Sequence, residues 1–213
     1  LKRRFLVSFA LLVQLGELRF YSVGLPFVVV VRRLHRTALD IYATVLLVRL
    51  LLQLMQADFF NPLSQTIFKL TAPIIEPLAR VFPTIGNFNI AALVAAILVK
   101  WSFYLIVLGI SGMLSAQMFV YIAVALLELL ASLIEIYFWG IFILVISSWI
   151  GTSSHPTVRV VSQIVDPYMA IFRRFIPPIG MIDLSPMVAI FGLMIIRANV
   201  MPKLASLVQP LLG

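Results

Sequence analysis

The chain has 213 residues, of which 62% are hydrophobic and only 11% charged. Soluble domains carry about 45–50% apolar and about 25% charged residues, so an ordinary globular domain and a disordered chain are both excluded, and lipid is the expected solvent. The 16 Lys and Arg against 8 Asp and Glu leave a net charge of +8, which in a membrane protein belongs in the loops and sets orientation; no nucleic-acid partner is expected. The absence of cysteine removes disulfides, thiolate metal sites and covalent haem. Both histidines, His35 and His155, lie outside the apolar runs, which argues against a buried haem.

Residues 5–31 are apolar but interrupted by Glu17, Arg19 and Pro26, and no Met precedes Met55. Three readings stay open: translation from an alternative codon within Val28–Val31, a fragment whose start is missing, or an extra helix. A secretory signal fits poorly, because no small-residue cleavage site follows the apolar run.

A helix needs about 20 residues to cross about 30 Å of hydrocarbon with its backbone satisfied internally. Four stretches qualify, at about 37–56, 88–110, 131–150 and 185–208. The second carries Lys100 near its middle at a cost of roughly 3 kcal/mol, but its Leu, Ile, Val and Phe residues return about 4–8 kcal/mol. Residues 113–130 extend the third run beyond one upright crossing, and a tilted or surface approach is expected ahead of it. The expected organisation is an N-terminal extension over 1–36, a first repeat over 37–110, a connecting segment over 111–130 and a second repeat over 131–208.

The repeat is visible without gaps. Residues 62–86 lie over 156–180 at an offset of 94, matching Pro62 with Pro156, Pro73 with Pro167, Arg80 with Arg174, Pro83 with Pro177, Ile85 with Ile179 and Gly86 with Gly180. Pro83, Gly86, Pro177 and Gly180 read as structural turns. Asn61 before Pro62 is a good helix start and His155 before Pro156 a weaker one. Apolar positions recurring at three to four residues, such as Ile67, Leu70 and Ile74, alternate with Lys69 and Arg80, the pattern of a short helix in the headgroup layer; a compact loop folded onto the bundle is the alternative. Pro73, Pro77 and Pro167 should kink or end these helices.

The pattern ADFFNPLSQ…TAPIIEPLARVFPTIG, followed by SSWIG…HP…DPYMAIFRRFIPPIGMIDLSPM, closely resembles the YggT family of bacterial inner-membrane proteins, related to the YlmG proteins of Gram-positives and plastids. The resemblance covers about 40–208. It implies a small multi-pass inner-membrane protein with no established catalytic activity, associated with tolerance of osmotic and salt stress. It supplies no catalytic residues. The acidic residue after the IG turn is present once, as Asp183, with Asn89 at the corresponding place in the first half.

Lys69 and Arg80 in one loop and Arg159, Arg173 and Arg174 in the other put both loops in the cytoplasm by the positive-inside rule, although Arg32, Arg33 and Arg36 pull the other way. The repeats are then parallel. Arg80, Arg174, Arg173 and Lys69 are the candidate lipid- or partner-binding residues, and the bilayer, with its anionic lipids, is the expected partner. Arg49, Lys100 and Arg197 fall inside spans, where charge marks function by default. The offset lays Arg197 on position 103, near Lys100, so the two cations are expected to face one another, binding an anionic headgroup or lining an ion route. Alternatively, Arg49 snorkels while Lys100 and Arg197 pair with carboxylates. Glu128 and Glu135, with Gln117, Tyr121 and Ser132, form a stripe expected to face other helices. Glu135 maps beside Asp40, which suggests interfacial carboxylates rather than a proton relay. Small residues, among them Gly140, Gly192, Ala91 and Ala95, suit bundle packing or self-association into a homo-oligomer.

No Gly-rich phosphate loop, HExxH pair or nucleophile elbow exists, so neither an enzyme nor a cofactor or metal site is expected. The fold expected is an all-α membrane protein of about four transmembrane helices in two tandem span–loop–span repeats, each loop carrying a short proline-kinked amphipathic helix. Its function would be non-enzymatic support of membrane or ion homeostasis under osmotic stress. The alternatives are an adaptor recruiting lipid or a protein partner through basic loops, and a subunit of an oligomeric channel or transporter.

Overall fold

The computed structural model describes residues 26–110, 116–176 and 183–212. Two compact units divide the chain, residues 1–39 and 40–213. In the first, the described residues are the opening of helix α1 (Pro26–Leu54), with Val30, Val31 and Leu34 on its exposed surface. α1 continues into the second unit, which holds everything that follows.

Four helical stretches among the described residues are long and apolar enough to cross a membrane: Val30–Leu54, Ile90–Ile110, Val120–Ile150 and Ser185–Leu211. The chain is mostly helical, and in element order α1 is followed by α2 (Pro62–Ala79), a two-residue β-hairpin (Thr84–Ile85 with Phe88–Asn89), α3 (Ile90–Ile110), α4 (Val120–Ile150), α5 (Pro156–Phe175), α6 (Ser185–Ile195), a π-turn (Ile196–Val200) and α7 (Met201–Val208). The first span starts earlier than 37, because the Val28–Val31 run belongs to the same helix and Arg32, Arg33 and Arg36 do not break it. The third is one unbroken 31-residue helix rather than a surface segment followed by a crossing. It is about 46 Å long at 1.5 Å per residue and must tilt within about 30 Å of hydrocarbon.

The loop helices begin where the Asx and His signals put them. Asn61 accepts the Leu63 N–H through its side chain at 2.9 Å, and His155 accepts the Thr157 N–H on Nδ1 at 3.2 Å. Of the expected kink or end, the end does not occur at the prolines themselves: α2 runs through Pro73 and two residues past Pro77, and α5 runs eight past Pro167. All three prolines lie on exposed helix faces, where a carbonyl left without its N–H donor is free to take another partner. The hairpin was not foreseen. Gly86 makes its turn with φ +58, the left-handed region that glycine enters without cost. Pro177 and Gly180 lie outside the described residues.

Three clusters hold the second unit together. Ala43, Leu46, Leu47 and Leu50 of α1 meet Ile75 of α2 and Ala91, Ala92, Ala95 and Ala96 of α3. Ile141 of α4 meets Val165 and Met169 of α5 and Ala189 and Leu193 of α6. Leu47, Ile75 and Ala95 of the first stand 94 positions before Ile141, Met169 and Ala189 of the second. A third cluster joins Leu51, Leu52, Ala57 and Ile67 to Val160 and Ile164, so α2 and α5 share a core. The small residues are where helices come close: a Cβ on Gly140 would stand 2.6 Å from the Val165 Cγ2.

Candidate functional site

Lys100 and Arg197 are bound in separate ion pairs. Lys100, on α3 and 5% exposed, donates through Nζ to Asp40 Oδ1 of α1 at 2.6 Å, with Glu128 Oε2 of α4 at 4.0 Å. Tyr104, one turn on from Lys100, donates its hydroxyl to Glu128 Oε1 at 2.5 Å and stacks on Tyr121. Arg197, in the π-turn, pairs with Glu135 Oε1 of α4 at 3.0 Å. The two cations therefore do not form one facing couple. Each is held by a carboxylate from the first span of its own half, since a cation in hydrocarbon finds a counter-ion wherever one is in reach. Asp40 and Glu135 are accordingly the ion-pair partners of Lys100 and Arg197. The stripe on α4 also divides: Glu128 and the buried Ser132 face helices, whereas Glu135 is exposed.

Arg49 does not snorkel. It donates through NH1 to the Phe68 carbonyl at 3.0 Å and to Thr71 Oγ1 at 2.9 Å, and its guanidinium carbon stands 4.3 Å from the centre of the Phe68 ring. Seven residues earlier on the same face, the Tyr42 hydroxyl donates to the Leu70 carbonyl at 3.1 Å. These carbonyls flank that of Lys69, the one whose helical donor Pro73 removes, so α1 grips α2 in the turn where the proline weakens its own hydrogen bonding. α2 is thus folded onto the bundle through Ile67, Thr71 and Ile75, with Gln65, Lys69, Glu76 and Arg80 on its outer side.

The second loop helix is anchored in the same manner by different residues. Its Tyr168 hydroxyl donates to the Ala189 carbonyl of α6 at 2.9 Å, and burial pushes that phenol above its ordinary pKa, so it stays a neutral donor. At its end Arg173 binds Asp166 at 3.1 Å and Asp183 at 3.5 Å. Burial pushes the Asp183 carboxyl up, but hydrogen bonds from Ser185 and the Arg173 guanidinium outweigh it and hold the group below its usual range. The charge that caps α6 therefore persists to lower pH than a free carboxylate would allow, and is lost as pH falls through the depressed value. Lys69, Arg80, Arg159 and Arg174 are exposed.

The two loop helices also meet directly. Gln163 of α5 accepts the Asp58 backbone N–H on Oε1 at 3.0 Å, next to the shared Ile67, Val160 and Ile164 cluster. The shared core brings the two basic helices together within the second unit. Asp40, Tyr104, Thr71 and Gln163 were not singled out as site residues, being 22–105 positions from their partners. One signal was available: each half carries an acid in its first span and a base in its second.

The CCB3/YggT family model matches residues 28–111 and again 123–204. The chain is 34% identical over 174 residues to an uncharacterized protein of Pseudomonas aeruginosa, covering 79% of this chain and 86% of that one. It is likewise 34% identical over 164 residues to the uncharacterized protein YggT of Escherichia coli K12, covering 77% and 85%. A chloroplastic YlmG homolog protein 2 of Arabidopsis thaliana is 37% identical over 60 residues, 28% of this chain and 24% of the relative. No solved structure matches.

Proposed function

From the premise that the chain belongs to the CCB3/YggT family, we propose a non-enzymatic, multi-pass protein of the bacterial inner membrane that supports membrane and ion homeostasis under osmotic and salt stress. It is built as two tandem span–loop-helix–span repeats and acts by holding anionic lipid headgroups against a cytoplasmic platform made of both loop helices. The tandem reading is supported by the two family matches, by the paired N-caps Asn61 and His155, and by the core positions repeated at an offset of 94.

The observation that carries the lipid reading is the core that α2 and α5 share through Ile67, Val160 and Ile164, with Lys69, Arg80, Arg159 and Arg174 exposed along the two loop helices and their ends. Arg80 and Arg174 correspond in the repeat, one at the end of each loop helix. A guanidinium there offers a planar fork to a phosphodiester at about 1 kcal/mol per cation near an anionic leaflet. The transport reading draws less support, because Lys100 and Arg197 are each occupied by a carboxylate.

The test counts phosphatidylglycerol retained by the purified protein in native mass spectrometry and follows growth at high salt. Replacing both Arg80 and Arg174 by Gln is expected to weaken lipid retention by about thirtyfold, the ratio for about 2 kcal/mol, and to lower salt tolerance. Unchanged retention with unchanged tolerance would overturn the reading.

A further inference from the structure

The Asp40–Lys100 and Glu135–Arg197 pairs occupy comparable places in the two halves, but their surroundings differ. Lys100 keeps 6% of its side chain exposed, because α4 crosses over it and brings Glu128 and Leu129. Arg197 keeps 65% and Glu135 48%, and every residue from Met194 to Val200 is exposed. Both members lie deep. Glu135 is the midpoint of α4, 15 residues from Val120 and from Ile150, and Arg197 lies near the middle of Ser185–Leu211. At 1.5 Å per residue Glu135 is about 22 Å along the axis from either helix end, which in a helix tilted across about 30 Å of hydrocarbon is about 15 Å from either headgroup layer, beyond the reach of its side chain.

Lipid chains cannot hydrogen-bond the remaining guanidinium N–H groups or the second carboxylate oxygen, and such groups in hydrocarbon are covered by protein or water. In the first pair the cation has that cover within the chain, while Asp40 keeps 39% of its side chain exposed; in the second the cation itself is open. The second displays a cation and an anion side by side at one depth, which is self-complementary: a two-fold axis along the membrane normal brings Arg197 of one copy to Glu135 of the other and closes a ring of four charges. Trp139, one turn from Glu135 and 57% exposed, and Met194, 53% exposed, flank the pair with apolar surface.

We propose that two copies of this chain associate through the α4–α6 face, with the Glu135–Arg197 pairs forming a closed charge ring at the centre of the bilayer. This goes beyond the lipid reading and stands independently of what the loop helices bind.

The chain has no cysteine, so Trp139→Cys and Met194→Cys each give it one thiol at the expected interface. Oxidation in native membranes should carry at least one of them to twice the monomer mass, while Ile106→Cys on the exposed surface of α3 stays monomeric. Monomer alone at both positions overturns the proposal, as does a cross-link to any other chain in place of a second copy. In the Trp139→Cys background, Glu135→Arg presents two cations and Arg197→Glu two anions. Each alone should cut the cross-linked fraction by about tenfold, the ratio for about 1.4 kcal/mol. Coexpressed with different tags, the two should recover it as a mixed dimer, which an ion pair confined to one chain cannot produce. Equal cross-linking of either single variant with the unmodified charges, or no recovery in the mixture, contradicts the charge ring.

Discussion

Replacing Lys100 by Met is expected to be the most damaging single change in the membrane interior. It leaves Asp40 without the donor at 2.6 Å and removes the cation beside Glu128. Breaking a buried pair from one side costs about 3–5 kcal/mol; Asp40 is 39% exposed, which puts the expected loss near the lower end. The melting temperature of the detergent-solubilised protein should fall by about 10 °C. Lys100→Met with Asp40→Asn removes both charges and should recover most of the loss. Strict additivity of the two single effects would show that the pair is not what the substitutions disrupt.

The second large effect is expected at Arg49, whose role is mechanical. Arg49→Leu deprives the Phe68 carbonyl and Thr71 of their guanidinium donor and removes the ring contact. Two charge-assisted hydrogen bonds in a partly buried site are worth about 2–3 kcal/mol together. The loss should fall on the docking of α2 rather than on the spans, so amide exchange over Pro62–Ala79 should accelerate by about thirtyfold or more while α3 and α4 keep their protection. Tyr42→Phe, which removes one exposed bond to Leu70, should do the same by a smaller amount. An unchanged exchange rate in α2 would remove Arg49 from this role.

What the sequence made legible was periodic or local. The four spans follow from runs of apolar residues too long for any other solvent, and the loop-helix starts from Asn61 and His155 standing before prolines. The repeat was readable because proline, glycine and arginine recur at one offset. Boundaries were less legible: Arg32, Arg33 and Arg36 looked like the edge of a span, yet α1 runs through them. Prolines expected to kink or end the loop helices are tolerated inside them, where they stand on exposed faces.

The site was the least legible part. Lys100 and Asp40 are 60 residues apart, and Gln163 and Asp58 are 105 apart; only the fold brings such groups together, and no period encodes the distance. Hydrocarbon makes the pairing of intramembrane charges predictable in kind. Which partner each takes depends on helix rotation and depth. Arg197 and Lys100 looked like one couple because the offset aligns them, whereas each half supplies its own acid.

The most direct test of the account is the sidedness of the two loop helices, since the shared platform exists only if both lie on one face of the membrane. Single cysteines at the exposed positions Gln65 in α2 and Arg159 in α5 can be labelled with a membrane-impermeant maleimide in right-side-out and inverted vesicles. Both should react in inverted vesicles and neither in right-side-out ones. Labelling of the two from opposite sides would contradict the tandem arrangement and the lipid platform built on it.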